Sequence, residues 1–275
     1  MSRPLPSETA RAKLNLALHV RRRREDGYHE LETLFAFVDA GDVLTARPAE
    51  CFSLAITGPF AADLSAGPDN LVLRAARLLA ERNGVTTSIA FVLDKRLPIA
   101  SGIGGGSADA AAALRLAERL WGDLGVRPAE IAAELGADVP ACVASRTCFG
   151  CGVGEKLEPV EGLGLAGMPV LLVNPRVACP TGPVFRAWDG LDRGALDPAQ
   201  WREGRNDLEP PARARVPEIG AALDALAATG ADLVRMSGSG ATCFALFGSV
   251  ALRDEAAARM ADEQPDWWQL AGALT

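Results

Sequence analysis

The sequence predicts an α+β protein built in two halves, and three patterns in it point there. The first stretch opens on apolar residues that alternate with polar ones, the period of half-buried strands. A glycine cluster at 102–106 then feeds an alanine-rich segment, a loop opening a helix. Beyond it, strand-like and helix-like runs mix around a second, shorter glycine pair, SGSG at 237–240. A chain of 275 residues suits one large domain or two moderate ones at ~100–200 residues each. The loose, glycine-rich stretch Leu157–Gly167 is the boundary candidate, giving halves 1–160 and 161–275.

The elements follow in order. In Ala12–Val20 (AKLNLALHV), Leu14, Leu16, Leu18 and Val20 take one face, while Lys13, Asn15 and His19 take the other. Arg21–His29 reads as a polar loop with its turn at Asp26-Gly27, its four arginines solvated and followed by acidic residues. LETLFAFVD is the next strand, and short strands follow near Val43–Ala46 and Phe52–Ile56. Asp69-Asn70 starts a helix over Leu71–Arg82 that Asn83-Gly84 closes. Strand Ser88–Asp94 leads through Lys95 and Pro98 into the glycine loop, and a helix runs from about Ser107 to Leu120. Another covers Pro128–Leu135 and ends at Gly136, just before Asp138. The C-terminal half reads as strand Pro169–Val173, a Pro- and Gly-rich loop, helix Pro217–Ala228, strands Leu233–Met236 and Thr242–Phe247, helix Val250–Ala261 and strand Trp268–Ala273. Trp267 and Trp268 read as core or edge aromatics.

Composition narrows the function. The net charge of −7 argues against a nucleic-acid partner, which needs a basic surface to neutralise phosphates. No apolar run nears the ~20 residues that span a bilayer, and no secretory signal is visible, so a cytoplasmic protein without a membrane partner is expected. Among six cysteines only Cys148 and Cys151 have CxxC spacing; buried, reduced thiols are expected rather than a zinc site. Of 28 basic residues only Lys13, Lys95 and Lys156 are lysine, which marks each as a residue to explain.

The glycine loop carries the chemistry. Pro98, Ile99, Ala100, Ser101, Gly102, Ile103, Gly104, Gly105, Gly106, Ser107 and Ala108 lead directly into the helix. Glycines let backbone N–H groups approach an anion, and a helix start adds unpaired donors and the positive dipole end, so this is a phosphate cradle with Ser107 as N-cap. It is not a Walker A loop, because no lysine follows the last glycine, nor a clean dinucleotide fingerprint.

The loop resembles the second motif of the GHMP kinases, SGSGATCFALF resembles their third, and AKLNLALHV resembles their N-terminal strand. DGYHELETLF, LGADVPAC and PTGPVF narrow the likeness to members whose substrate carries a cytidine diphosphate, on a path to isoprenoid precursors. The resemblance implies a two-domain GHMP kinase fold, with a ribosomal protein S5 domain 2-like N-terminal half and a ferredoxin-like C-terminal half. It implies ATP with Mg²⁺, and transfer of a phosphoryl group to a hydroxyl of a small molecule. Asp138 is then the base that accepts the hydroxyl proton, and Lys13 its partner near the γ-phosphoryl. Asn15, on the face of Lys13, would hydrogen-bond the substrate, and Tyr28, His29, Pro180, Thr181 and Phe185 would hold its cytidine end, with Phe185 stacked on the base. Asn70 and Lys95 would lie near the adenine, residues 98–108 would wrap the triphosphate, and Ser107 is a candidate Mg²⁺ ligand. Two departures touch nucleotide affinity and the cytidine loop: Ala108 stands where a second serine is common, and Gly182-Pro183 alters the 180–185 loop. Two other readings stay open: another GHMP small-molecule kinase such as a homoserine kinase, or a non-catalytic nucleotide- or RNA-binding protein. The sequence does not give the oligomeric state.

Overall fold

A computed structural model describes residues 4–275. Two long strands lead the chain, β1 (Ser7–Arg23) and β2 (His29–Ala49), paired with each other. The runs read separately as LETLFAFVD and Val43–Ala46 are one strand, and the arginines at 21–23 belong to β1 rather than to a loop. Only 24–28 makes the turn, closed by Arg24 N–H on the Tyr28 carbonyl at 2.8 Å. The arginine run is matched to acids, Arg21 to Glu32 at 3.0 Å and Arg24 to Asp26 at 2.7 Å.

Packing divides the chain into two compact units that no single cut at 160 separates. One comprises the chain up to Ala12 with 40–99 and 104–145; the other takes 13–39, 100–103 and 146–275. The expected boundary segment lies inside the second unit, because β1 and β2 contribute to both.

In the first unit, residues 43–49 of β2 pair antiparallel with β4 (Ser88–Asp94), which pairs in parallel with β3 (Ser53–Thr57). Helix α1 (Leu71–Asn83) starts where Asn70 Oδ1 accepts from Val72 N–H at 3.0 Å, and it stops at the left-handed Gly84. Helix α2 (Gly105–Trp121) buries Ala108, Ala110, Ala111, Ala112, Ala113, Leu114, Leu116 and Ala117. Its small side chains allow close approach, and α1 packs against it. Helices α3 (Pro128–Leu135) and α4 (Val139–Ala144) follow; α4, a turn and a half with proline near its start, is too short to show a helical period in the sequence. Gly41 of β2 lies against β1 so closely that a Cβ there would sit 2.0 Å from the Ala10 carbonyl oxygen. Gly41→Ala therefore forces the strands apart and costs at least about 1–3 kcal/mol, the overpacking range. Urea unfolding measures the cost, and parental stability in the variant would mean that the strands separate freely.

In the second unit, residues 31–35 of β2 pair with β5 (Cys148–Gly152), and β5 pairs with β6 (Lys156–Pro159). A second sheet has the order β10 (Trp268–Ala273), β7 (Pro169–Asn174), β9 (Cys243–Leu246), β8 (Leu233–Met236), all antiparallel. Helices α5 (Thr181–Arg186) and α6 (Glu209–Arg215) occupy what read as loop, before α7 (Pro217–Ala227) and α8 (Val250–Glu263). Every residue of β7 is buried, and Leu171, Val173, Ile219, Leu226, Met236 and Met260 share its core with Leu18 and Val20 of β1. Trp267 packs at the margin of that core. All six cysteines are free; Cys142, Cys148, Cys179 and Cys243 are buried, while Cys51 is exposed and Cys151 half-buried.

Candidate active site

The glycine loop begins with buried Pro98, exposed Ile99 and Ala100, and buried Ser101. Ala100, Gly102 and Gly104 have φ of 51°, 78° and 65°, so the backbone turns three times through the left-handed region. Gly104 is the N-cap of α2 and offers no side-chain oxygen. The helix starts at Gly105, and Ser107 falls in its first turn; the N-cap expected at Ser107 is three residues earlier. Ala108, the first buried residue of the helix, has its N–H on the Gly104 carbonyl at 2.8 Å. The N–H groups of Gly105, Gly106 and Ser107 precede the first bond of that ladder, which is the donor set an anion needs.

Within the first unit the start of α2 is fixed from behind by charge. Lys95 Nζ donates to Asp42 Oδ2 and to Asp109 Oδ2, each at 2.6 Å, and all three residues are buried. Asp42 Oδ1 also accepts from the N–H groups of Arg96 and Leu97 at 2.6 and 2.8 Å. Burial alone pulls the Lys95 ammonium down, but Asp109 and Asp42 together hold it above its ordinary value. Burial pushes the Asp109 carboxyl up to about 7, against the pull of Lys95. Lys95, expected near the adenine, thus spends its ammonium on this triad, 3.2 Å from where a Cβ on Gly105 would stand. Asn70 likewise spends its amide locally, on Val72 N–H and on the Ser65 carbonyl at 2.7 Å.

In the second unit, residues 101–103 dock backbone to backbone on the second glycine pair. Ser237 Oγ donates to the Gly102 carbonyl at 3.0 Å, and Thr242 N–H to the Ser101 carbonyl at 3.2 Å. A Cβ on Gly102 would lie 2.5 Å from the Ser237 oxygen, and one on Gly238 would lie 2.8 Å from the Gly102 oxygen. Each glycine makes room for the other's backbone. Asn206 Nδ2 holds the same turn through the carbonyls of Met236 and Gly238, both at 2.8 Å.

Lys13 and Asn15 sit beside this junction, and neither is solvated: each is 3% exposed. Lys13 N–H donates to the Ile103 carbonyl at 3.0 Å, and its ammonium donates to Asn15 Oδ1 at 3.1 Å while standing 4.9 Å over the Phe35 ring. Asn15 Nδ2 donates to Thr33 Oγ1 at 2.8 Å, and Asn15 N–H to Ser237 Oγ at 3.2 Å. The polar face of β1 is therefore an interior one, covered by Thr33, Phe35 and Ser237. Gly150 of β5 leaves room for the Phe35 ring, since a Cβ there would lie 2.6 Å from it.

At the turn of the same hairpin Tyr28 is 64% exposed, whereas His29 is buried. His29 packs on Phe185 with centroids 5.1 Å apart and takes the edge of Trp188 at 5.8 Å and 84°. Its Nε2 accepts from Arg23 Nε at 3.3 Å. Burial, and then Arg23, hold the His29 pKa below its ordinary value, so the ring is neutral at pH 7. Phe185 is half-buried against the core; Pro180 and Thr181 are exposed, and Thr181 Oγ1 bonds Ser239 Oγ at 2.9 Å. His19 is structural, bonded to the Gly194 carbonyl at 3.1 Å and to Arg205 N–H at 3.3 Å. Asp138 belongs to the first unit, half-buried directly before α4, and its side chain does not cap that helix.

Five side chains at these sites escaped the sequence reading: Asp42, Asp109, Ser237, Arg23 and Trp188. Ser237 lies in the glycine pair already noted as a motif, and Arg23 was hidden in the arginine run. Nothing local marks Asp42, Asp109 or Trp188.

The model of the GHMP kinases N terminal domain matches residues 70–146, and that of the GHMP kinases C terminal domain matches 191–266. A Novosphingobium aromaticivorans protein named 4-diphosphocytidyl-2-C-methyl-D-erythritol kinase is 58% identical over 97% of this chain and 92% of its own length. A Sphingopyxis alaskensis protein of the same name is 56% identical over 97% of this chain and 98% of its own. A crystal structure of 4-(cytidine 5'-diphospho)-2C-methyl-D-erythritol kinase superposes with a TM-score of 0.85 at 35% identity, covering 98% of this chain and 99% of that one. A homoserine kinase from Cytophaga hutchinsonii shares the fold, with a TM-score of 0.65 at 16% identity over 99% of this chain and 98% of that one.

Proposed function

The chain belongs to the GHMP kinase family, and from that premise we propose that it transfers the γ-phosphoryl group of ATP to the 2-hydroxyl of 4-diphosphocytidyl-2-C-methyl-D-erythritol. It is an ATP-dependent kinase; the product of this step would feed isoprenoid precursor synthesis. The observation that favours a cytidylated substrate over a plain alcohol is the cluster of His29, Phe185 and Trp188 at the DGYH turn. A homoserine kinase has no base to place there. A pyrimidine stacked on Phe185, with exposed Tyr28 to cover it, uses that cluster fully. Pro180 and Thr181 border the same loop.

Residues 98–108 hold the triphosphate through backbone N–H groups, backed by the Lys95 triad rather than by the lysine itself. Phosphoryl transfer passes through a loose transition state, so positioning and charge stabilisation supply most of the catalysis. The Lys13 ammonium, fixed by Asn15, offsets charge developing on the γ-phosphoryl oxygens. Asp138, placed directly before α4 without capping it, orients the 2-hydroxyl and takes its proton as the oxygen attacks.

A nucleotide-borne Mg²⁺ fits these residues. Among the described residues no three His, Cys, Asp or Glu gather into a cage, and Mg²⁺ with ATP needs only one or two protein oxygens beside phosphate and water. The Ser107 hydroxyl in the first turn of α2 would hold it. Bound there, it would offset charge on the phosphate oxygens.

A coupled ADP-release assay with Mg-ATP tests the assignment against 4-diphosphocytidyl-2-C-methyl-D-erythritol, homoserine and mevalonate. Turnover is expected with the cytidylated alcohol alone. Turnover with homoserine, or silence from folded protein that binds ATP, would overturn the substrate.

A further inference from the structure

Four polar groups in the second unit form a line whose direction is set at one end. The Ala17 carbonyl of β1 only accepts, so the Thr33 hydroxyl of β2, 2.7 Å away, spends its one hydrogen there. Toward Asn15, at 2.8 Å, that hydroxyl has only lone pairs to offer, and the amide must turn its Nδ2 to it. Oδ1 then faces the other way, where it accepts from the Lys13 ammonium at 3.1 Å. The reverse amide orientation would set an NH2 group against an ammonium, donor against donor. Water does not blur the choice, because Thr33, Asn15 and Lys13 are all buried. A second hydroxyl repeats the device on the backbone of Asn15. Ser237 Oγ gives its hydrogen to the Gly102 carbonyl at 3.0 Å and accepts from Asn15 N–H at 3.2 Å. Two hydroxyls with committed protons thus hold Asn15 at main chain and side chain.

We propose that Thr33 is a positioning residue for phosphoryl transfer: by fixing which end of the Asn15 amide meets Lys13, it holds the ammonium in place. The inference rests on the reading that Lys13 offsets charge on the γ-phosphoryl oxygens. A cation does so best when it is already in place as the charge develops, with no reorganisation left to make. Without the hydroxyl, Asn15 Nδ2 is a buried donor with nothing to bond at that place, which is costly. The amide then turns toward other acceptors, and the ammonium loses a partner of fixed position. Thr33 acts two bonds away from the cation, through Asn15, so its removal weakens the transition state rather than the ground state.

Three variants and one pairing test it, with urea unfolding run beside the kinetics. Thr33→Val keeps the shape and loses the hydroxyl, Thr33→Ala loses both, and Thr33→Ser keeps the hydroxyl alone. Val and Ala should lower kcat alike, by roughly ten- to hundredfold, with KM for ATP moved by less than about threefold. Ser should recover kcat to within about threefold of the parent, although it packs less well than Val. A merely structural residue would give the other order, with kcat following stability, Val the mildest change and Ser no rescue; that order overturns the proposal. The pairing puts Thr33→Val into Lys13→Met. With the ammonium gone, the hydroxyl has nothing left to position, so kcat should fall by less than about twofold further. A full additional loss there overturns the proposal as well. Parental kcat in folded Lys13→Met would dismiss the reading of Lys13 and this inference with it. A slow Lys13→Met beside a parental Thr33→Val would dismiss Thr33 alone.

Discussion

Asp138→Asn slows turnover by roughly 10²–10⁴, the range for losing a positioned acid–base group, and moves the KM for ATP by less than about threefold. The substitution keeps the size of the side chain and removes its charge. It leaves α4 intact, because the helix takes no capping bond from Asp138. Lys13→Met falls in the same range for a different reason. The thioether fills the buried space over Phe35, so the fold persists while the cation that we propose for the γ-phosphoryl is lost. Steady-state kinetics on variants shown by circular dichroism to be folded settle both. Parental turnover in folded Asp138→Asn would remove that carboxylate from the mechanism.

Lys95→Met lowers the unfolding free energy by about 3–5 kcal/mol, the cost of breaking a buried ion pair and stranding its partners. The buried carboxylates of Asp42 and Asp109 would then share one site with no cation between them. Asp109→Asn in the same background relieves the repulsion and returns part of the loss. The pH dependence has a definite sign. Asp109 titrates near 7 when folded, against 3.8 for an ordinary carboxyl, so the folded state binds the extra proton. Its contribution to stability is full below about pH 4 and is lost as pH rises through about 7. Removing the ammonium favours protonation further. The gap between Lys95→Met and parent therefore narrows at about pH 5 relative to about pH 8, as urea titrations at both values would show. An equal gap at both would mean that Asp109 is ionised throughout.

What could be read from the sequence was local. Four glycines ahead of an alanine run declare a loop and a helix through backbone freedom and propensity alone, and Asn70 and Gly84 mark the ends of α1 by the same chemistry. The error at Ser107 has that origin: hydroxyls normally cap helices, and glycines normally stay out of them, yet here two glycines open α2, the first with only 3.2 Å between the place of a Cβ and the Lys95 ammonium. What depends on distant partners was not legible. Alternation in β1 shows that one face is apolar, but the other is interior too, covered by Thr33 and Phe35 of β2 and by Ser237, which is 222 residues from Asn15 in the chain. Lys95 could be marked as unusual by scarcity, but not as the partner of Asp42. β5 is five residues of cysteine, phenylalanine and glycine; its pairing with β2 makes it a strand, not its propensity.

The shared strands bear on how the chain comes to be folded at all. Leu18 and Val20, made early, belong to a core whose other members include Val173, Met236 and Met260. A nascent chain therefore carries two apolar side chains whose partners in this core, Leu171 to Met260, are made only with the C-terminal half. A gene cut at 160 would leave the same residues bare in one product and a pair of strands missing from the other. The two units are consequently not modules that evolution or a cloning strategy can exchange one at a time. Their inheritance is joint, and holdase chaperones have a defined interval of synthesis in which to act.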